Sequence, residues 1–150
     1  MNINDLIFRW VTYGDPDYLA LVQLRREVLR YPLNLDYTEE DLKKDACYYH
    51  IGAFTKDTNT AVGNIILTDI TNDTCRIRQL AVRSDLQHSG IGKTLMYVVE
   101  THAKIVEEVS TIFLHSRESA VPFYKKLGYN IEGDSFEEVG LVHYKMVKKL

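Results

Sequence analysis

Cysteine is scarce in this chain: Cys47 and Cys75 are the only two among 150 residues. They are too few and too far apart for a disulfide framework and lack metal-ligand spacing, so no metal and a reducing, cytoplasmic setting are expected. A surplus of one charge is missing too. Eighteen Lys and Arg stand against 21 Asp and Glu, a formal charge of -3, so neither nucleic acid nor an anionic membrane is an expected partner. No apolar run approaches the roughly 20 residues of a membrane span. Residues 1–10 include Asp5 and lack the basic start and continuous apolar stretch of a signal peptide. What remains is average: 45% apolar and 26% charged residues describe a globular chain. At about 100–200 residues per domain, one domain spanning 1–150 is expected.

Local patterns give an element order. Residues 6–11 read as a strand. Asp15 and Pro16 suit the cap and first position of a helix, and Leu21, Leu24, Val28 and Leu29 recur at helical spacing until Tyr31-Pro32 stops it. Thr38 caps a short polar helix running to about Ala46. The runs 48–55, 61–70 and 74–82, separated by Asp57-Thr58-Asn59 and Thr71-Asn72-Asp73, predict an antiparallel meander. From Ile91 the period becomes helical: Ile91, Leu95, Val98, Val99, His102, Ile105, Val106 and Val109 line one face of a long helix ending near Ser110. Residues 111–114 suit a buried strand, 119–127 a short helix closed by Gly128, and 129–131 with 141–147 a final strand pair. The order β-α-α-β-β-β-α-β-α-β-β makes an α+β fold: one mixed, mainly antiparallel sheet flanked by helices.

The segment 80–95, Leu-Ala-Val-Arg-Ser-Asp-Leu-Gln-His-Ser-Gly-Ile-Gly-Lys-Thr-Leu, leads from a strand through a glycine-bearing turn into the long helix. The first amides of a helix lack backbone partners, and the helix dipole adds roughly half a positive charge there, so such a turn suits an anion. Helices usually draw Asp or Glu into their first turn, yet none occurs between Leu86 and Val99. The negative charge is expected to arrive with a ligand. A Walker A loop requires Gly where Gln87 stands, and the dinucleotide fingerprint requires Gly or Ala where Leu95 stands. Q-x-x-G-x-G remains.

That turn resembles the acetyl-coenzyme A signature of the GNAT N-acetyltransferase superfamily. Ala120-Val121-Pro122-Phe123-Tyr124-Lys125-Lys126-Leu127-Gly128-Tyr129 is similar to the family's A-x-x-F-Y-x-K-x-G-[FY] motif. The tail Phe136-Glu137-Glu138-Val139-Gly140-Leu141-Val142-His143-Tyr144-Lys145-Met146 resembles the ending of small bacterial ElaA-like members. The likeness is close from residue 77 to the C-terminus. Before that, Val28-Leu29-Arg30-Tyr31-Pro32-Leu33 replaces the ElaA-like V-F-x-x-E-Q run, so acceptor-lining residues of the first two helices are not carried over.

The resemblance implies a GNAT-like fold and direct attack of a primary amine on the thioester of acetyl-CoA, the cosubstrate. Leu80, Ala81 and Val82 would hold the pantetheine arm through their backbone. Gln87, His88, Ser89, Gly90, Ile91, Gly92 and Lys93 would bind the pyrophosphate. Tyr124 would be the general acid protonating the leaving thiolate, a role open to a phenol with an ordinary pKa of about 10; packing is the alternative. His143 is the preferred proton acceptor, since an imidazole titrates near neutrality, with Glu27, Glu138 or water as alternatives and a structural role for His143 also open. His115 and Arg117 line the coenzyme or acceptor channel or are merely solvated. Arg76, Arg78 and Leu80 share one face of their strand and Ile77, Gln79 and Ala81 the other; the sequence leaves the buried face open. The expected acceptor is a small-molecule amine, because a chain of this size leaves little room for a protein-docking surface. A coenzyme A-binding sensor without catalysis is the alternative, a nucleotide-dependent phosphotransferase ranks last, and a homodimer is an open possibility.

Overall fold

Turn chemistry and apolar periodicity set most of the element boundaries in the computed structural model, which describes all residues 1–150. β1 (Leu6–Val11), α1 (Pro16–Arg25), α2 (Glu39–Lys44), β2 (Tyr49–Thr55), β3 (Ala61–Thr68) and β4 (Thr74–Val82) are followed by α3 (Ile91–Ile105), β5 (Thr111–Arg117), α4 (Val121–Lys126), β6 (Asn130–Ile131), β7 (Phe136–Glu138) and β8 (Leu141–Lys149). The sheet runs β1-β2-β3-β4-β5-β8-β6, with β7 paired to β8. β4 and β5 are parallel, while β1–β2, β2–β3, β5–β8, β6–β8 and β7–β8 are antiparallel. The fold is α+β, as the element order implies.

The chain forms two compact units, residues 1–68 with 79–99 and residues 69–78 with 100–150. In the first, Pro16 opens α1, which widens into a π turn at Arg26–Arg30 before Tyr31–Leu33 ends it. Thr38 caps α2 in a reciprocal box: its hydroxyl accepts from Asp41 N at 3.1 Å, and Asp41 accepts from Thr38 N at 2.9 Å. The core gathers Leu21, Leu24, Ile51, Phe54, Ile65, Leu67, Ile91 and Leu95. Two glycines permit close packing. A Cβ on Gly52 would stand 2.5 Å from the Phe54 ring, and one on Gly63 would stand 2.8 Å from Ile91 Cγ2. α3 therefore lies directly on β3.

In the second unit Cys75, Ile77, Ile112, Leu114, Tyr129 and Met146 are buried. Gly128, at φ +95, closes α4 in the left-handed conformation that glycine favours; its amide donates to Lys125 O at 3.0 Å.

Four sequence expectations need correction. The long helix stops at Ile105, and Ile105 and Val106 are 68% and 63% exposed: Val106 N and Glu107 N both fold back to His102 O, ending the helix before this pair reaches a core. Met96 and Ala103 are buried instead. The helix at 119–127 begins later, because a 3-10 turn occupies Glu118–Ala120 ahead of Pro122. β5 extends three residues further than expected, to Arg117. β7 adds a strand to the expected closing pair.

Candidate functional site

The face of β4 left open by the sequence is settled by burial: Cys75, Ile77 and Ala81 are buried, so Arg76 stands on the other side. Alternation breaks at Gln79, which has φ +58. A non-glycine residue in this region is unusual, and two bonds within the first unit secure it. Asn64 Nδ2 donates to Gln79 O at 2.7 Å, and the Tyr37 hydroxyl donates to Gln79 Oε1. The Arg25 and Arg30 guanidinium groups each lie 4.7 Å from the Tyr37 ring centroid.

Beyond the kink, Leu80 and Val82 are half-buried and Ala81 buried. Arg83 N donates to Val62 O at 2.9 Å, a 3-10 turn follows at Ser84–Leu86, and His88 and Gly90 both take positive φ, +66 and +92. Gln87 Nε2 donates to Val82 O at 3.4 Å and the Ser89 hydroxyl to Leu86 O, bracing the turn from inside. The first bond of α3 runs from Thr94 N to Gly90 O at 3.0 Å, so the amides of Ile91, Gly92 and Lys93 precede every carbonyl of the helix. Gln87, His88, Ser89, Gly90 and Lys93 are exposed. Ile91 is buried, leaving its backbone as its only means of meeting a ligand. The first turn of α3 holds no acidic residue. This is a solvent-facing array of donors at the positive end of a 15-residue helix.

The second unit gathers titratable groups. Arg76 Nη2 lies 2.9 Å from His115 Nδ1. A guanidinium can only donate and a carboxylate can only accept, so Nδ1 either accepts from Arg76 or donates to Glu138 Oε1, according to the tautomer. Glu138 Oε1 is 3.2 Å from the same Nδ1 and 4.0 Å from Arg76, and Glu138 Oε2 is 3.7 Å from His143 Nε2. His143 is 4% exposed, and its Nδ1–H donates to Leu141 O at 2.9 Å, which turns Nε2 toward the carboxylate. Phe136 stacks on His143 with ring centroids 6.0 Å apart. Burial pushes the His115 pKa down, and the Arg76 charge adds to this against the pull of Glu138. Burial alone would raise Glu138; the His115 hydrogen bond and the nearby His143 and Arg76 outweigh it, holding the carboxyl below its usual range. Arg117 and His143 face each other in the β5–β8 register.

Tyr124 is 9% exposed, and burial drives its pKa far above that of a free phenol. Its hydroxyl has no hydrogen-bond partner within the protein. The other two buried tyrosines differ: Tyr18 donates to Asp45 at 2.7 Å and Tyr129 to Glu100 at 3.4 Å. Phe123 meets Tyr124 edge to face.

The structure thus brings Glu138 and His143 together and adds His115 and Arg76, so His115 is not simply solvated. Glu27 belongs to the first unit and accepts from Gln23 at 3.1 Å. Sequence reasoning missed the Phe136 stack and the Tyr37–Gln79–Asn64 brace. The one available signal was a polar residue, Gln79, ahead of the apolar run 80–82.

Residues 33–150 match the family model of the acetyltransferase (GNAT) domain, and the chain belongs to that family. Its fold is similar to that of a putative N-acetyltransferase from Lactobacillus plantarum, 18% identical over 98% of this chain and 99% of that one, with a TM-score of 0.85. Escherichia coli ElaA is 22% identical over 95% and 99%, with a TM-score of 0.75. A GNAT family acetyltransferase from Elizabethkingia anophelis with acetyl-CoA bound is 18% identical over 98% and 99%, with a TM-score of 0.73. At these identities the likeness is one of fold.

Proposed function

We propose that the protein is an N-acetyltransferase that moves acetyl from acetyl-CoA to the primary amine of a small molecule. Tyr124 carries this reading. Its ring is buried, but its hydroxyl has no hydrogen-bond partner in the protein and is not among the buried polar atoms, so the oxygen is open to solvent and free to donate to a leaving thiolate. It stays protonated across the neutral range, as a proton donor must. Family membership supports acetyl-CoA as donor, and the donor array from Gln87 to Lys93 supports a pyrophosphate bound by backbone amides. Two free thiols, exposed Cys47 and buried Cys75, support a reducing, cytoplasmic setting.

In the reaction the nitrogen lone pair attacks the thioester carbon, the carbon–sulfur bond breaks, Tyr124 protonates the thiolate, and the proton lost by the amine passes to His143 Nε2. Nε2 suits this role because Nδ1 is committed to Leu141 O and Glu138 faces the imidazolium that forms. Acetyl-CoA-dependent thiol release with a panel of amines tests the reading. Tyr124→Phe keeps the ring packing, so kcat should fall about 10²–10⁴-fold while coenzyme affinity and stability stay near wild type. Unchanged kcat returns Tyr124 to packing. With His143 as the proton acceptor, kcat/KM should rise with pH and lose that limb in His143→Gln; a limb that survives, or moves with the amine pKa, removes His143 from proton transfer.

A further inference from the structure

The sheet face of the second unit that carries Glu138 and His143 is unbalanced in charge. β4 buries Cys75 and Ile77, so by alternation Arg76 and Arg78 point the other way. The β5–β8 register sets His115 opposite Lys145 and Arg117 opposite His143, and residues directly opposite in an antiparallel pair share a face. The bond from Arg76 to His115 makes this one face: three guanidinium groups, an ammonium and two imidazoles. Two acids pair with these groups, Glu138 and Glu132. Glu132 neutralises Lys145 at 3.2 Å, and Glu138 is taken by His115, His143 and Arg76.

Arg78 is left over. It is half-buried, and its side chain has no hydrogen bond, ion pair or ring partner in the protein. A guanidinium cannot shed its proton, and its planar fork matches the oxygen pair of a carboxylate or the oxygens of a phosphate. Chain connectivity places it next to the kink at Gln79 and two residues before Leu80, the start of the proposed pantetheine-binding run.

We infer that the acceptor is an amine that also carries an anionic oxyacid group, and that Arg78 binds that group. The inference rests on the acetyltransferase reading. A polyamine or other multiply cationic acceptor would bring its charge to a face that already holds an uncompensated cation, whereas an amine with one carboxylate or phosphate supplies the missing partner. His143 is then available to the amino end, and Arg78 fixes the other. Arg78 is therefore a specificity-determining residue rather than a proton carrier.

The test is steady-state thiol release by the full chain with acetyl-CoA and four amines: γ-aminobutyrate, O-phosphoethanolamine, n-butylamine and putrescine. At least one of the two anionic amines should show kcat/KM about 10- to 100-fold above both others, the scale of a charge-assisted hydrogen bond, and which one responds separates carboxylate from phosphate recognition. Arg78→Gln should collapse that ratio toward one through KM, and Arg78→Lys, which keeps the charge but loses the fork, should restore part of it. n-Butylamine or putrescine turning over as well as the anionic amines, or an anionic preference intact in Arg78→Gln, overturns the inference and leaves the acetyltransferase reading standing. Turnover of none of the four, with acetyl-CoA shown by calorimetry to be bound, overturns both.

Discussion

Gly63→Ala tests how the fold sets the anion turn. In the middle of a strand, alanine is ordinarily preferred to glycine by about 0.5–1 kcal/mol, so propensity alone predicts a more stable protein. Geometry predicts the reverse. The new methyl would lie 2.8 Å from Ile91 Cγ2, 3.0 Å from Leu95 Cδ1 and 3.2 Å from Ala53 Cβ, and all three neighbours are essentially fully buried. Overpacking of this kind costs about 1–3 kcal/mol, so the packing term exceeds the propensity gain, and net destabilisation of up to about 2 kcal/mol is expected. At about 2–4 °C per kcal/mol for a chain of this size, the melting temperature should drop by several degrees. Because Ile91 opens α3, relief of the clash moves the first turn of that helix and the amides it presents. Acetyl-CoA affinity should therefore fall along with stability. Urea unfolding and isothermal calorimetry on the same preparation measure both. A variant at least as stable as wild type with unchanged affinity would refute the claim that contact between β3 and α3 sets the turn.

Arg25 is 1% exposed and shares Asp45 Oδ2 with Tyr18, at 2.9 and 2.7 Å; Arg25→Met strands a buried carboxylate and should cost about 3–5 kcal/mol in urea unfolding, whereas a loss below 1 kcal/mol would show that the pair is dispensable. The pH dependence follows from two imidazoles. Burial lowers the pKa of both His50 and His115, and His50 Nδ1 is buried without a partner, so the unfolded chain binds more protons once the pH passes below about 6.5. Stability should hold above that value and decline as pH falls from it toward the depressed folded pKa values; a flat profile between pH 7.5 and 5.5, or a slope unchanged in a His50→Gln, His115→Gln double variant, would contradict this.

Local signals in the sequence marked features fixed by a few neighbouring residues. The Asp57-Thr58-Asn59 turn holds Asn59 at φ +52, and Gly128 closes α4 at φ +95. The sequence was silent where partners are distant. Arg25 meets Asp45 twenty residues on, and Tyr18 reaches the same carboxylate across twenty-seven; no periodicity marks an arginine as buried. β7 escaped notice because Phe136–Glu138 is three residues long, too short for alternation to register. The motif residues Tyr124 and His143 were readable as candidates, but the unpartnered hydroxyl of one and the Glu138 partnership of the other arise from tertiary packing. Arg78 was readable as a charge on a strand face. That its side chain has no partner is a property of the folded neighbourhood, which no local pattern encodes.

The central claim, that the turn from Gln87 to Lys93 holds the pyrophosphate of acetyl-CoA, is tested most directly by calorimetric titration of acetyl-CoA into wild type and Gly92→Asp. A carboxylate in the first turn of α3 complements the helix dipole and favours folding by about 0.3–1 kcal/mol, yet it brings negative charge to the place meant for a phosphate. Saturable binding to wild type and none to a Gly92→Asp protein that melts no lower is the predicted result. Equal binding by both proteins, or no binding to wild type, would contradict it.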